Sequence, residues 1–298
     1  MFRQARNEVN IVGILEENDI QNVTTKSKKT NADVEYLRGT ITVLVNDMHI
    51  PVKVMCTRWT NDGKERKSYT SLSKFSQDAT SIAACGNKEN ASRVQIKGEI
   101  DVSDFVGRDN NIAISKNVNA IYASIINPTE FVPKAEFTFE GFLKNVADVM
   151  DKDGIPVEPH KVRGEFVVPK WTKPDSPVMN VQCVDVVSDN PQVIAGMQTI
   201  WEPGQSYEIS GILNFTKETV VSTSEAAFGA PITSEFTKKV TDFVVMGSSV
   251  AMPEATAWKF EEIKDAVQNH RAELEQEKTQ PRPSRTEVPS PTARNFGF

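Results

Sequence analysis

The sequence predicts an all-β protein made of two similar halves. Three observations support this. Short segments alternate apolar and polar residues, and four such segments recur in the same order in both halves. In each half the alternation is interrupted after the third of these segments by a less strand-like stretch. An alternation of period two is typical of strands with one face on a core. The two halves are therefore expected to share one β topology.

The repeat is visible segment by segment. The matched pairs are VNIVGILEE at 9–17 with FTFEGFLK at 137–144, LRGTITVLV at 37–45 with VRGEFVV at 162–168, PVKVMC at 51–56 with PVMNVQC at 177–183, and VQIKGEID at 94–101 with YEISGILN at 207–214. In this alignment Gly13, Gly39, Cys56 and Gly98 correspond to Gly141, Gly164, Cys183 and Gly211. A last strand-like run closes each half, at 119–126 and at 241–246. Each half therefore contains five strands.

A helix is predicted between the third and fourth strands of each half. In the second half Val193, Ile194, Met197 and Ile200 have helical spacing, and Pro203-Gly204 ends the element. The first half has a less strand-like segment at 68–87 in the same position. Three strands, a helix and two strands is the order of a five-stranded OB barrel, so the sequence predicts two tandem OB-fold barrels.

The predicted organisation has five parts. Residues 127–135 contain two prolines and read as a linker, residues 254–278 have apolar residues at roughly helical spacing, and the last stretch holds four prolines without periodicity. The parts are a first OB-fold domain at 1–126, a linker at 127–135, a second OB-fold domain at 136–249, a C-terminal helix at 250–278 and a disordered Pro-rich tail at 279–298.

Charge distinguishes the two halves. Residues 1–126 hold 17 Lys and Arg against 15 Asp and Glu, a net of +2, while residues 127–249 hold 10 against 17, a net of −7. The whole chain carries −6. The first half is therefore the better candidate for a polyanion site.

Strand parity places aromatic and cationic groups on the outer face of the first barrel. Val52, Val54 and Cys56 are expected to face the core, so Lys53 and Trp59 face outward. On the preceding strand, Tyr36 and Arg38 are outward. With the basic residues of nearby loops, the candidate binding set of this barrel is Lys26, Lys28, Lys29, Tyr36, Arg38, Lys53, Arg58, Trp59, Lys64, Arg66, Lys67 and Tyr69. Stacking rings beside cations are typical of a single-strand groove.

The second barrel keeps part of this pattern. Its candidates are Arg163, Lys170, Trp171 and Lys173, but Asn180 and Gln182 are expected outward on its third strand. Packing remains the alternative for both Trp59 and Trp171, and a solvated hairpin tip is the alternative for the basic loop at 60–67. Cys56 and Cys183 are expected to be buried at equivalent inward positions. Trp201 and Trp258 are expected to be core or docking residues rather than ligand contacts.

The order of elements resembles that of the bacterial and phage single-stranded DNA-binding protein family, and IWEPGQSYEISGILN at 200–214 carries the closest likeness. The resemblance implies an OB fold, single-stranded DNA as ligand with RNA as the alternative, and a role in replication or recombination. It implies stacking for Trp59 and Trp171 and phosphate contacts for the Arg and Lys residues near them. It also implies that the C-terminal helix and tail recruit proteins of these processes, with Phe296 and Phe298 as partner-binding residues. The chain lacks the acidic run that usually precedes the family's last residues.

Other classes of function find little support. No phosphate-cradling glycine loop, nucleophile elbow, His-paired cysteine or HExxH signature is present, so neither an enzyme nor a cofactor or metal site is predicted. No apolar run reaches the roughly 18 residues of a membrane span and the first ten residues have no signal-peptide centre, so a cytoplasmic location is expected, in the host if the source is a phage. The alternative function is an OB-fold adaptor in a replication, transcription or virion assembly.

Overall fold

The computed structural model describes residues 2–279 except 28–30, 61, 108–109, 173–175, 177 and 225–231. The predicted all-β, OB-like fold with a C-terminal helix is confirmed. The strands are β1 (Asn7–Asn18), β2 (Gln21–Lys26), β3 (Asp33–Val45), β4 (Met48–Thr57), β5 (Arg93–Val106), β6 (Ile112–Ile125), β7 (Lys134–Asp148), β8 (Val162–Pro169), β9 (Val181–Ser188), β10 (Ser206–Ser224) and β11 (Ile232–Ser248). The helices are α1 (Lys67–Asp78), α2 (Ile82–Cys85), α3 (Pro191–Ile200) and α4 (Phe260–Thr279).

The first five long strands form a closed barrel. Strand β1 pairs antiparallel with β3 and with β5, β3 pairs with β4, and β5 pairs with β6. A parallel contact between β4 and β6, at Lys53 and Asn119, completes the cycle. Strand β2 pairs with the first part of β3, from Asp33 to Arg38, so Lys26, expected in a loop, lies at the end of a strand. Helix α1 lies between β4 and β5 and buries Leu72 and Phe75.

The second set of strands closes in the same way. Strand β7 pairs with β8 and β10, β8 pairs with β9, and β10 pairs with β11. A parallel contact between Val187 of β9 and Val244 of β11 completes the cycle. Helix α3 lies between β9 and β10, where helical spacing predicted it. The residue parity of the first barrel also agrees with prediction, since Val52 and Val54 are buried while Lys53 and Met55 are exposed.

The first strands of the two barrels join them into one sheet. Strands β1 and β7 run antiparallel, with Asn7 opposite Phe139 and Val12 opposite Lys134. Along one of its two edges, β1 therefore pairs partly with a strand of its own barrel and partly with β7. Strand β7 divides one of its edges in the same way. Because backbone hydrogen bonds cross the junction, the two barrels are held by a ladder as well as by side-chain packing.

The side chain of Gln182 also ties the barrels together, which corrects the prediction that it faces outward. It is 3% exposed, accepts a 2.8 Å hydrogen bond from the backbone N–H of Val102, and donates one of 3.2 Å to the carbonyl oxygen of Ile100. These two groups lie on β5 beyond the end of its pairing with β1. Gln182 therefore supplies hydrogen bonds that a neighbouring strand would otherwise make.

Replacing Gln182 with alanine is expected to lower the free energy of unfolding by about 1–3 kcal/mol, because the buried N–H of Val102 loses its partner. Urea unfolding followed by circular dichroism measures this. The control is Asn180→Ala, two residues earlier at an exposed position, for which a change within about 0.5 kcal/mol is expected. Equal stability of Gln182→Ala and wild type would show that this amide does not hold the junction.

Strand register also corrects the expected equivalence of the two cysteines. Gly39 lies opposite Val54 in the first barrel, and Gly164 lies opposite Val186 in the second. Counting from these pairs, the position of Cys56 corresponds to Ser188. Cys183 instead lies on the outward side of β9 and is only partly buried. The sequence match between 51–56 and 177–183 therefore aligns residues that do not occupy equivalent positions on the two strands.

The remaining tryptophans pack as predicted. Trp201 and Trp258 are both buried. The indole of Trp201 stands edge-on to Phe166, with ring centroids 5.1 Å apart, and the guanidinium of Arg3 lies 4.4 Å from the centroid of Trp258. Trp258 precedes α4, so it anchors the start of the helix to the barrels. Part of the C-terminal region therefore belongs to the folded core.

Candidate nucleic-acid interface

The outer surface of β2, β3 and β4 forms a three-stranded antiparallel face. Arg38 of β3 lies between Gln21 of β2 and Met55 of β4. One step along, Tyr36 lies between Val23 and Thr57, and in the other direction Thr40 pairs with Lys53. Because residues directly opposite one another share a face, these side chains form neighbouring rows. We call this surface the β3–β4 face and define it by Tyr36, Arg38, Thr40, Lys53, Met55, Thr57 and Trp59.

Apolar and aromatic groups are exposed on the β3–β4 face. Met55 is 69% exposed and Trp59 is 47% exposed, which is unusual for side chains of this size. Trp59 follows β4 and makes an isolated antiparallel bridge with Glu65, across a turn in which Thr60 bonds Lys64. The backbone of this hairpin therefore fixes the position of the indole while one side of it meets solvent.

Two cations of this face are available to a ligand. Arg38 and Lys53 are exposed, and no ion pair with another described residue involves either of them. They flank Met55 on neighbouring strands. Across the parallel contact with β6, Lys53 lies opposite Asn119, which is also polar. The face can therefore offer two positive charges beside apolar surface.

Arg58, in contrast, is engaged within the protein. Its guanidinium donates a 2.7 Å hydrogen bond to Glu35 and one of 2.8 Å to Glu65. These carboxylates raise the pKa of Arg58, with the Glu35 hydrogen bond as the larger cause. The same guanidinium lies 4.8 Å from the centroid of the Trp59 ring. Arg58 therefore holds Trp59 in place, and sequence reasoning missed both carboxylates that occupy it.

The basic loop carries cations of differing availability. Lys64 pairs with Asp62 at 3.3 Å, and Arg66 donates a 3.1 Å hydrogen bond to the hydroxyl of Thr57. Lys67 is exposed at the first residue of α1, and Lys26 is exposed at the end of β2. The basic loop forms the tip of a hairpin and also lies beside Trp59. Its position is therefore compatible with a solvated hairpin tip and with a phosphate-binding loop.

Some predicted residues lie elsewhere. Tyr69 lies on the buried side of α1 with 5% of its surface exposed, so its ring faces the core rather than the β3–β4 face. Residues Lys28, Lys29, Lys173, Phe296 and Phe298 lie outside the described residues. Sequence parity could not place Tyr69, because the strand pattern ends at Thr57 and a helix begins ten residues later.

The second-barrel candidates do not come together on one face. Arg163 is on β8 and pairs with Glu165 at 3.0 Å. Lys170 follows β8 and forms a 2.6 Å ion pair with Asp101 of the first barrel. Trp171 is 58% exposed and lines a small pocket with Asn269 and His270 of α4. Both cations are thus paired internally, while Trp171 lies next to the C-terminal helix.

Neither a metal-ligand cluster nor a membrane-spanning helix is present among the residues that the structure describes. No group of three or more His, Cys, Asp or Glu side chains there could hold a metal ion. Of the helices in the same part of the chain, none is long and apolar enough to span a membrane.

The closed five-stranded cycles, each with a helix between its third and fourth strands, define a protein of the OB-like β-barrel class. The chain belongs to the YorF family, whose model matches residues 5–280. No curated protein matches the chain.

Among solved structures, the chain is similar to the wild-type single-stranded DNA-binding protein from Thermus aquaticus. The identity is 8%, the TM-score is 0.45, and the match covers 84% of this chain and 95% of that one. A deletion mutant of the same protein gives the same values with 97% of its chain covered. At this identity and TM-score, the likeness carries no conclusion about the ligand of this chain.

Proposed function

We propose that this protein binds single-stranded nucleic acid, with DNA as the preferred form, on the β3–β4 face of its first barrel. Binding shows little sequence preference and protects the strand during replication or recombination. The observation that carries the proposal is the juxtaposition of exposed Trp59 and Met55 with Arg38 and Lys53 on one rigid surface. We limit the interface to the first barrel, because Arg163 and Lys170 are already paired.

The mechanism needs no chemical step. Bases stack on the exposed side of the Trp59 indole and contact the thioether and ring of Met55 and Tyr36. Arg38 and Lys53 neutralise phosphates and release the counterions that surround the strand. A duplex presents stacked bases and cannot offer their faces, so single strands are preferred. The OB barrel supplies the platform, since the face of its second and third strands is the usual oligonucleotide surface of this fold.

The two barrels are proposed to be tandem copies, with domains at 1–126 and 136–249 joined by the linker at 127–135. Support comes from the shared strand order, the parallel closing contact in each barrel, and the matched positions of Gly39 and Gly164. A duplicated barrel could diverge, leaving one copy to bind and the other to stabilise or recruit.

The proposal is tested by titrating labelled oligo-dT, oligo-U and a matched duplex with the protein at several salt concentrations, following anisotropy and tryptophan fluorescence. We expect salt-sensitive binding of the single strands, quenching of tryptophan fluorescence, and little binding of the duplex. The logarithm of the affinity should fall by about 0.7 per phosphate contact for each tenfold rise in salt. Absence of single-strand binding at low salt would refute the proposal.

Trp59→Ala is expected to weaken oligo-dT binding by about 1–3 kcal/mol, since one stacking surface is lost. The melting temperature should hardly change, because the side chain is about half exposed. Trp59→Phe retains an aromatic ring and should recover most of the affinity. Equal affinities of wild type and Trp59→Ala would remove Trp59 from the interface.

An adaptor function is the second candidate, and one feature of the second barrel favours it. A groove of about 230 Å³ lies between α3 and β11, with Trp201 in its wall and with Ile200 and Met246 exposed at its edges. Exposed apolar surface of this kind is typical of protein contacts. Binding of a protein partner without any binding of oligo-dT in the titration above would favour the adaptor.

A further inference from the structure

The second barrel has a surface that corresponds, position by position, to the β3–β4 face. The correspondence follows from strand register, because Gly39 faces Val54 and Gly164 faces Val186. Counting from these pairs gives the same outward positions on both barrels. Arg38, Thr40 and Lys53 of the first barrel correspond to Arg163, Glu165 and Asp185 of the second.

This second surface carries carboxylates where the first has a lysine and a threonine. Glu165 lies directly opposite Asp185 across β8 and β9. Arg163 and Lys144 both form ion pairs of 3.0 Å with Glu165. Asp185 is half-buried, and this burial raises the pKa of its carboxyl. A phosphate placed here would meet acidic groups and cations that already have partners.

Helix α4 covers the neighbouring part of the same surface. Phe142 and Val167 lie opposite each other on the outward side of β7 and β8, yet both are buried. The ring of Phe260, at the start of α4, lies 6.2 Å from that of Phe142, and the next apolar residues of the helix, Ile263 and Ala266, are buried as well. At Phe142 an outward apolar position of this barrel therefore packs against the start of a helix.

The helix continues towards the first barrel. Its Asn269 and His270 line one pocket with Val181 of β9. His270 is 3.2 Å from Asp104 of β5. Helix α4 therefore fills the space between the outer face of the second barrel and the β5–β6 hairpin of the first.

The described residues leave the corresponding space beside the first barrel open. Thr42 and Pro51 occupy the register positions of Val167 and Cys183, and they line a cleft of about 560 Å³. Its opposite wall is the β10–β11 hairpin, at Phe215 and Thr216. The same place in the fold is thus filled by a helix in one barrel and left open in the other.

We propose that each chain holds a single nucleic-acid site, and that α4 closes the equivalent surface of the second barrel against a strand. The inference rests on the proposed function of the β3–β4 face. Charge and coverage act together: Glu165 and Asp185 offset the positive charges of Arg163 and Lys144, so a phosphate meets no net positive charge, while α4 covers apolar surface beside them. The second barrel then serves to hold the first through the β1–β7 ladder and Gln182.

The test counts sites and then compares two matched variants. Native mass spectrometry and calorimetric titration with oligo-dT of about 12 nucleotides, within the range covered by one OB fold, give the number of strands per chain. One variant is Arg38→Gln/Lys53→Gln in the first barrel, and the other is Lys161→Gln/Arg163→Gln at outward positions of the second. Each removes two positive charges, so long-range electrostatics change equally, and melting curves confirm that both variants fold.

We expect one strand per chain. Arg38→Gln/Lys53→Gln should weaken binding at least tenfold at low salt, whereas Lys161→Gln/Arg163→Gln should change it by less than twofold. Two strands per chain, or equal losses in the two variants, would overturn the single-site inference while leaving single-strand binding intact. Wild-type protein that binds no oligo-dT would overturn the proposed function itself.

Discussion

Replacing Gly98 by alanine is expected to lower the free energy of unfolding by about 3 kcal/mol or more, because a methyl group has no room there. A Cβ at this position would fall far inside the contact distance of the Asn119 carbonyl oxygen, which is backbone and cannot rotate away. Gly98 lies where the register between β5 and β6 shifts. Gly211 has the same position in the second barrel, where a Cβ would meet the Val244 carbonyl oxygen. Equilibrium urea unfolding measures the loss.

The matched control is Gly196→Ala in α3, where nothing apart from neighbouring residues and the backbone of the helix itself lies within 4 Å of the added Cβ. This substitution should stabilise the protein by about 0.5–1 kcal/mol, since alanine loses less backbone entropy in a helix than glycine. The two substitutions add the same methyl group. If one lowers and the other raises the free energy of unfolding, the loss at Gly98 comes from close packing at the bulge and not from glycine replacement in general. Wild-type stability of Gly98→Ala would show that β5 and β6 do not approach so closely.

Truncation of Trp201 to alanine is expected to destabilise the protein by about 3–5 kcal/mol, through loss of buried area and the cavity left behind. The indole is packed edge-on against Phe166, and its Nε1 donates a 2.9 Å hydrogen bond to the hydroxyl of Ser248. Gly164 leaves the space that the ring fills, since a Cβ there would press on the indole. Thermal unfolding by circular dichroism follows the loss.

Trp171→Ala is the control, because the same side chain is removed from an exposed place. Its expected effect is within about 0.5 kcal/mol. If the two alanine variants had the same melting temperature, Trp201 would not be part of the hydrophobic core of the second barrel. Neither substitution alters the β3–β4 face, so oligo-dT binding by the folded Trp201→Ala protein should remain at the wild-type level.

These predictions separate scaffold from interface. The glycine and Trp201 substitutions are expected to change the stability of the barrels. Substitutions of Trp59, or of Arg38 and Lys53, are expected to change the affinity for oligo-dT. Arg58 connects the two, since Glu35 and Glu65 hold its guanidinium against the Trp59 ring. A loss of oligo-dT binding in Arg58→Gln would therefore be attributed to a change in the position of Trp59 and not to the loss of a phosphate contact.

Local pattern in the sequence was enough for much of the fold. Alternation along 37–45 and 50–57 gave the correct inward and outward sides of β3 and β4, because period two follows directly from strand geometry. Helical spacing at 193–200 located α3, and strand parity placed Arg38 and Lys53 at positions that are exposed. Each of these inferences needs only residues that are close together in the chain.

Long-range contacts decided the rest. No local pattern shows that Gln182 reaches the backbone of β5, that Glu35 neutralises Arg58, or that Tyr69 turns into the core. The sequence by itself determined most of the strands, the inward and outward sides of β3 and β4, and the repeated order of elements, but not the sides of β9. Only the tertiary structure decided the register between the barrels, the pairing of cations, and which outer face α4 covers, because these depend on residues far apart in the chain that meet only after closure.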